Sequence, residues 1–148
     1  MSAELSEGVT AAAARVVLDT NIVLDLWLYK DAATPVLLAA LEGNSVQWLA
    51  TQVMRDELER VLAYTHIVKR LAFSQLTAEH ILAQFDAHAQ LVAIAPKALF
   101  VCKDPDDQKF IDLAAEHRTR LISKDKAVLT MRNRMQRLGV NVSKTFNL

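Results

Sequence analysis

Arg15-Val16-Val17-Leu18-Asp19-Thr20-Asn21 is the stretch whose reading decides the fold. It opens with an apolar run that lacks helical spacing, which is how a buried strand reads. The run breaks off into a carboxylate, a hydroxyl and an amide. In open parallel sheets ligands collect beyond the carboxyl ends of the strands. If residues 16–18 form a central strand, Asp19 stands where a site belongs. The plainer reading is a strand and a turn, with Asp19 or Thr20 capping the next helix.

Working outward, the spacing predicts further short strands at 46–50, 91–94, 120–122 and 140–142. Between them fall helical patterns at 21–28, 36–41, 52–64, 77–88, from Asp106 or Asp107 to about 117, and at 126–138. Residues 67–73 read either as a continuation of the helix before them or as a short one. Thr34 and Thr51 are expected caps, Pro35 fits a first helical turn, and Gly43-Asn44 and Gly139 are expected stops. Val53, Met54, Leu58, Val61 and Leu62 fall on one stripe of the 52–64 helix. Strands alternating with helices argue an α/β domain, Rossmann-like, with a central, mostly parallel five-stranded sheet and helices on both faces.

A chain of 148 residues fits one domain, and 52% hydrophobic against 23% charged residues suits one soluble core. Cys102 is the only cysteine, so an internal disulfide is excluded and a reducing, cytoplasmic setting is expected. Residues 1–14 carry Glu4 and Glu7 and no basic residue, which suits a flexible tail and not a secretory leader. No apolar run approaches membrane-spanning length. Residues 117–148 hold eight basic residues against Asp125 alone, a balance of +7, which leaves −7 for the rest of a chain whose net charge is zero. That asymmetry points to an anionic partner, against the plainer reading of a solvated helix face.

Three further acids stand out by position. Glu57 has Val53, Met54 and Val61 as helix-surface neighbours and so lies on or beside the buried stripe. Asp107 has Phe110, Ile111 and Ala114 on its face and sits at a helix start; Asp112, among Gln108, Lys109 and Glu116, reads as a surface residue. Asp125 follows Leu121-Ile122-Ser123-Lys124 and repeats the opening order of apolar strand, hydroxyl and carboxylate. Caps and salt bridges account for each acid singly. In a parallel sheet, however, Asp19, Glu57, Asp107 and Asp125 all converge on the carboxyl edge. Four carboxylates there repel, and a divalent cation relieves the repulsion. All-oxygen ligands suit Mg²⁺ or Mn²⁺, while His66, His80, His88 and His117 show no zinc-ligand spacing. Such an ion works on phosphates, and the basic C-terminal segment would hold the rest of a polyanion.

Val17-Leu18-Asp19-Thr20-Asn21, Glu57 in its helix, Cys102-Lys103-Asp104-Pro105-Asp106-Asp107 and Leu121-Ile122-Ser123-Lys124-Asp125 together resemble the PIN-domain family, and most closely its bacterial toxin branch of toxin–antitoxin pairs. The similarity runs from Arg15 to about Val142, with the domain taken as residues 15–148. The resemblance implies a three-layer α/β/α fold and metal-dependent ribonuclease activity. It matches Asp19, Glu57, Asp107 and Asp125 to the acidic, metal-binding catalytic set, with Asn21 and Ser123 supporting it and Thr20 in the same motif. Asp107 is preferred for its match to the family helix and its inward face, although Asp104 and Asp106 stay open as alternatives. Asp25, in an otherwise apolar helix, departs from the motif set.

The expected function is therefore endoribonucleolytic hydrolysis with Mg²⁺ or Mn²⁺, with Lys124, Lys126, Arg132 and Arg134 as RNA contacts. The resemblance also implies a cognate antitoxin that caps the acidic site, and a homodimer. The alternative is a non-catalytic module that binds RNA or protein. A phosphatase with Asp19 as nucleophile commonly needs an acid where Asn21 stands. A receiver-like phosphoacceptor needs an acidic pair before the first helix.

Overall fold

Val16, Val17 and Leu18 are all buried, as a strand covered on both faces requires. The computed structural model, which describes residues 14–147, puts them in β1 (Ala14–Leu18) at the centre of a five-stranded sheet. The sheet order is β3-β2-β1-β4-β5 and every pair is parallel. The other strands are β2 (Val46–Ala50), β3 (Ala89–Leu91), β4 (Arg120–Ile122) and β5 (Asn141–Ser143). Helices flank this sheet in a three-layer α/β/α arrangement: α1 (Thr20–Trp27), α2 (Pro35–Glu42), α3 (Gln52–Val61), α4 (Thr65–Phe73), α5 (Ala78–His88), α6 (Gln108–His117), α7 (Lys126–Leu129) and α8 (Arg132–Gln136). Ala14, expected in the tail, opens β1; the rest of that tail lies outside the described residues.

Trp48 of β2 anchors one side of the core. It stacks on Trp27 of α1 at 5.9 Å and meets Phe85 of α5 edge-on at 4.9 Å. On α3 the buried stripe is Met54 and Leu58, continued by Leu62 beyond its end, whereas Val53, expected on it, is 40% exposed. Thr51 caps α3 by accepting from the Met54 N–H. Thr34 does not cap α2. Its hydroxyl donates instead to the Asp31 carbonyl at 2.6 Å, and Pro35 takes the first turn alone. Asn44 (φ +59) and Gly139 (φ +79) take the left-handed conformations that stop their helices.

Two expected elements differ. The third strand is Ala89–Leu91 and not residues 91–94. It follows α5 without a loop and pairs with Trp48–Ala50, where β2 ends and Thr51 turns into α3. Beyond Val92, whose N–H reaches the Ala50 carbonyl, no strand remains to pair with, and Ile94 is 69% exposed. The single helix expected at 126–138 is broken at Thr130 and Met131. The Thr130 hydroxyl donates to the Ala127 carbonyl at 3.0 Å and competes with the helical ladder, while Met131 and Met135 turn into the core. Residues 65–73 form a helix of their own.

Candidate metal centre

The chain leaves β1 toward β2 on one side and leaves β4 toward β5 on the other. Neighbouring strands that diverge in this way open a crevice at their carboxyl ends. Asp19 follows β1 directly and Asp125 lies three residues beyond β4. Helix α6 packs on both strands and runs back along them, so the turn before it (Pro105–Asp107) delivers Asp107 to the same edge. The carboxylates of Asp19, Asp107 and Asp125 come within 4.8 Å of one another, and among the described residues no histidine or cysteine joins them.

The three carboxylates are held differently. Asp19 is buried and doubly engaged: one oxygen accepts from the Asn21 backbone N–H at 3.3 Å, the other from the Ser123 hydroxyl at 2.7 Å. Asp125 is half-buried and accepts from the Ala127 N–H at 2.8 Å, and its own N–H donates to Ser123 Oγ at 3.0 Å. Ser123 is wholly buried and thus ties β1 to the turn after β4. Asp107 is buried at the start of α6 yet caps nothing, and its Oδ2 has no hydrogen-bond donor. So Asp19 and Asp125 are helix caps and members of the cluster at once, while Asp107 is a member only.

Electrostatics agree with that division. Burial pushes the Asp19 carboxyl above its ordinary range. The Ser123 and Asn21 hydrogen bonds oppose this, and the charges of Asp125 and Glu57 add to it. Asp107 is pushed up to about 7, first by burial and then by the charges of Asp19 and Asp125. An unpartnered buried oxygen beside two like charges, with only oxygen ligands in reach, fits a hard divalent cation.

The remaining expected residues take varied places. Glu57 stands beside the cluster and not in it. It accepts from Thr20 Oγ1 at 2.7 Å and pairs with Lys109 Nζ at 3.2 Å, so this chain of contacts joins α1, α3 and α6. Asn21 offers its backbone N–H while its side chain is exposed. Asp104 and Asp106 are exposed, and Asp104 caps its own turn by accepting from the Asp106 N–H at 3.0 Å. Lys124, expected to meet RNA, is instead paired with buried Asp25 and lies 3.9 Å from Asp31. A buried carboxylate on apolar α1 needs a cation, and Lys124 supplies it. Lys126, Arg132 and Arg134 are exposed.

Sequence reasoning missed three residues of α6. Lys109 reads as a surface lysine, yet it neutralises Glu57. Gln108 and Asp112 clamp the segment before α6: Gln108 binds the Phe100 carbonyl and the Cys102 N–H, and Asp112, expected on the surface, is half-buried and accepts from the Ala98 N–H. The one signal was their spacing, since Gln108 and Asp112 at i and i+4 share a helix face and hydrogen-bond each other at 2.8 Å.

Among the described residues no helix is long and apolar enough to cross a membrane. None of the curated proteins compared with the chain matches it significantly. A family model, that of the PIN domain, matches residues 15–127, from β1 through all four candidate acids to the first turn of α7. PIN domains are generally nucleases and typically use a divalent metal. With the match spanning well over half of its length, the chain belongs to the PIN-domain family.

Proposed function

We propose that this protein is a metal-dependent endoribonuclease, the toxin of a type II toxin–antitoxin pair, that hydrolyses RNA phosphodiesters with Mg²⁺ or Mn²⁺. The observation that carries the reading is the Asp19–Asp107–Asp125 cluster with its unpartnered Asp107 oxygen. Asp19 and Asp107 would be the principal ligands and Asp125 the third. When bound, the ion supplies Lewis acidity to the phosphodiester oxygens and to an attacking water. Ser123 and the Asn21 N–H fix the Asp19 carboxylate, so that it need not reorient on binding. Thr20 and Lys109 hold Glu57 at the edge of the pocket, where its charge completes the acidic set. Lys126, Arg132 and Arg134 lie on the basic C-terminal segment and suit an RNA backbone. The toxin assignment extends the PIN membership: an antitoxin would cover the acidic pocket with a basic side chain, and the toxin would form a homodimer in the cytoplasm.

The test is cleavage of RNA by purified protein with each metal, compared with an Asp19→Asn variant. We expect wild-type cleavage, a loss of more than about 100-fold in the variant, beyond the range for removing a residue that only supports a ligand, and an unchanged circular dichroism spectrum. Undiminished cleavage by the variant contradicts the assignment. Absence of cleavage with either metal, alongside steeply salt-dependent RNA binding, supports a non-catalytic binding module instead.

A further inference from the structure

Glu57 reaches the carboxyl edge with both of its oxygens already partnered. Oε1 accepts from the Thr20 hydroxyl at 2.7 Å, and Oε2 faces Lys109 Nζ at 3.2 Å. The group is tied to the cluster from two sides, because Thr20 follows Asp19 in the chain and Lys109 lies two residues beyond Asp107. The ammonium is as firmly placed as the carboxylate. It also donates to the Asp106 carbonyl and lies 5.0 Å from the centre of the Phe110 ring, whose face attracts a cation. The Lys109 and Glu57 side chains are only 22% and 19% exposed, whereas each of the other described ion pairs includes a partner at least 44% exposed. Solvent screens such an enclosed pair less than a surface pair, and either charge left alone there is costly.

We propose that the Lys109 ammonium is a built-in cation of the acidic centre: it holds the Glu57 side of the pocket, so that the centre takes one divalent ion, at Asp19, Asp107 and Asp125, and not two. The inference rests on the metal-centre reading above and extends it to the number of ions. Two-ion phosphodiester sites hold their ions about 3.5–4 Å apart. A second ion here would need Glu57, since Asp104 and Asp106 are exposed and Asp104 is engaged in capping its own turn. Glu57 offers no oxygen that is without a partner. A second ion would have to expel an ammonium that Glu57, the Asp106 carbonyl and the Phe110 ring all hold in place. Lys109 is thus a positioning residue, which acts through Glu57 and not on the substrate. A pair that merely bolts α3 to α6 would share these contacts but would have no effect on the number of ions bound.

The probe is Mn²⁺ alone, added to the full chain without RNA. Bound ions are counted from the loss of the free-ion electron paramagnetic resonance signal, and low-temperature spectra show whether two bound ions are magnetically coupled, as ions about 4 Å apart are expected to be. Wild-type protein is expected to bind one equivalent with an uncoupled spectrum. Lys109→Met keeps most of the stem and removes the charge, and is expected to bind two equivalents with a coupled spectrum. Lys109→Arg is expected to return the count to one. Adding Glu57→Gln to Lys109→Met is also expected to return it to one, because the second ion then lacks its carboxylate. A thermal melt of each metal-free variant verifies the fold. Lys109→Gln, which keeps a hydrogen-bond donor for Glu57 without the charge, takes the place of Lys109→Met if the latter is unfolded at the assay temperature. Two coupled ions in the wild type, or one ion in the uncharged variant, overturns the role of Lys109 and leaves the metal centre standing. Two ions in the double variant overturns Glu57 as the place where the second ion sits, and the proposal with it. A wild type that binds no Mn²⁺ overturns the metal-centre reading and this proposal together. The expected counts in a protein that cuts no RNA support the role of Lys109 and contradict the nuclease reading alone.

Discussion

Asp107 is the residue at which structure and chemistry diverge most, since a buried carboxylate oxygen without a donor is costly. Its carboxyl is pushed up to about 7 by burial and by Asp19 and Asp125. Between the ordinary value of 3.8 and that figure, the folded protein keeps a proton that the unfolded chain has lost. Metal-free stability therefore falls as pH rises through this window, and the upward shift of Asp19 acts in the same direction. Melting of metal-free protein should show this decline, and Asp107→Asn should flatten it. A cation must displace the same proton, so Mn²⁺ affinity measured by titration calorimetry should weaken by up to about tenfold for each pH unit below about 7. Ser123→Ala removes the hydroxyl donor to Asp19 and is expected to weaken Mn²⁺ binding by about 10–100-fold while the fold persists.

At the scale of elements, the turn between β4 and α7 is pinned to α1 by one ion pair, Lys124 with Asp25. Asp25 is buried and Lys124 is 44% exposed, so solvent screens part of the interaction. Lys124→Met leaves the carboxylate without its cation and should cost about 1–2 kcal/mol in urea denaturation. Adding Asp25→Leu should recover most of that loss, because an apolar pair suits the site. This pair was not legible in sequence: Asp25 appeared as a departure and Lys124 as a free cation, since residues 99 positions apart carry no local sign of contact. What was legible followed from local physics. Continuous apolar runs marked β1, β2 and β4, and Thr51 announced its helix as a cap, whereas Thr34 did not cap the helix it precedes. Strand β3 was expected two residues too late because α5 passes into it without a break, and the split between α7 and α8 depends on a hydroxyl that reads equally well as a helix surface.

Across the whole molecule, the site exists because β1 lies between β2 and β4 in a parallel sheet. That arrangement puts Asp19 next to residues about a hundred positions away, as the Asp19–Ser123 hydrogen bond shows. Strand-then-acid order at Asp19 and Asp125 was enough to foresee their convergence, because parallel strands share a carboxyl edge. Glu57 was foreseen at that edge but not in its pairing with Lys109, which depends on how α3 and α6 lean together. A ligand held by both β1 and α6 stabilises the whole fold. Mn²⁺ at about 100 times its Kd should add about 2.7 kcal/mol to global stability, and in Asp19→Asn this gain should shrink or vanish. The most direct measurement is an anomalous-scattering map of crystals soaked in Mn²⁺. The account predicts a peak among Asp19, Asp107 and Asp125, within bonding distance of Asp107 Oδ2. A map with no peak there, from crystals in which no neighbouring molecule covers the pocket, would contradict it.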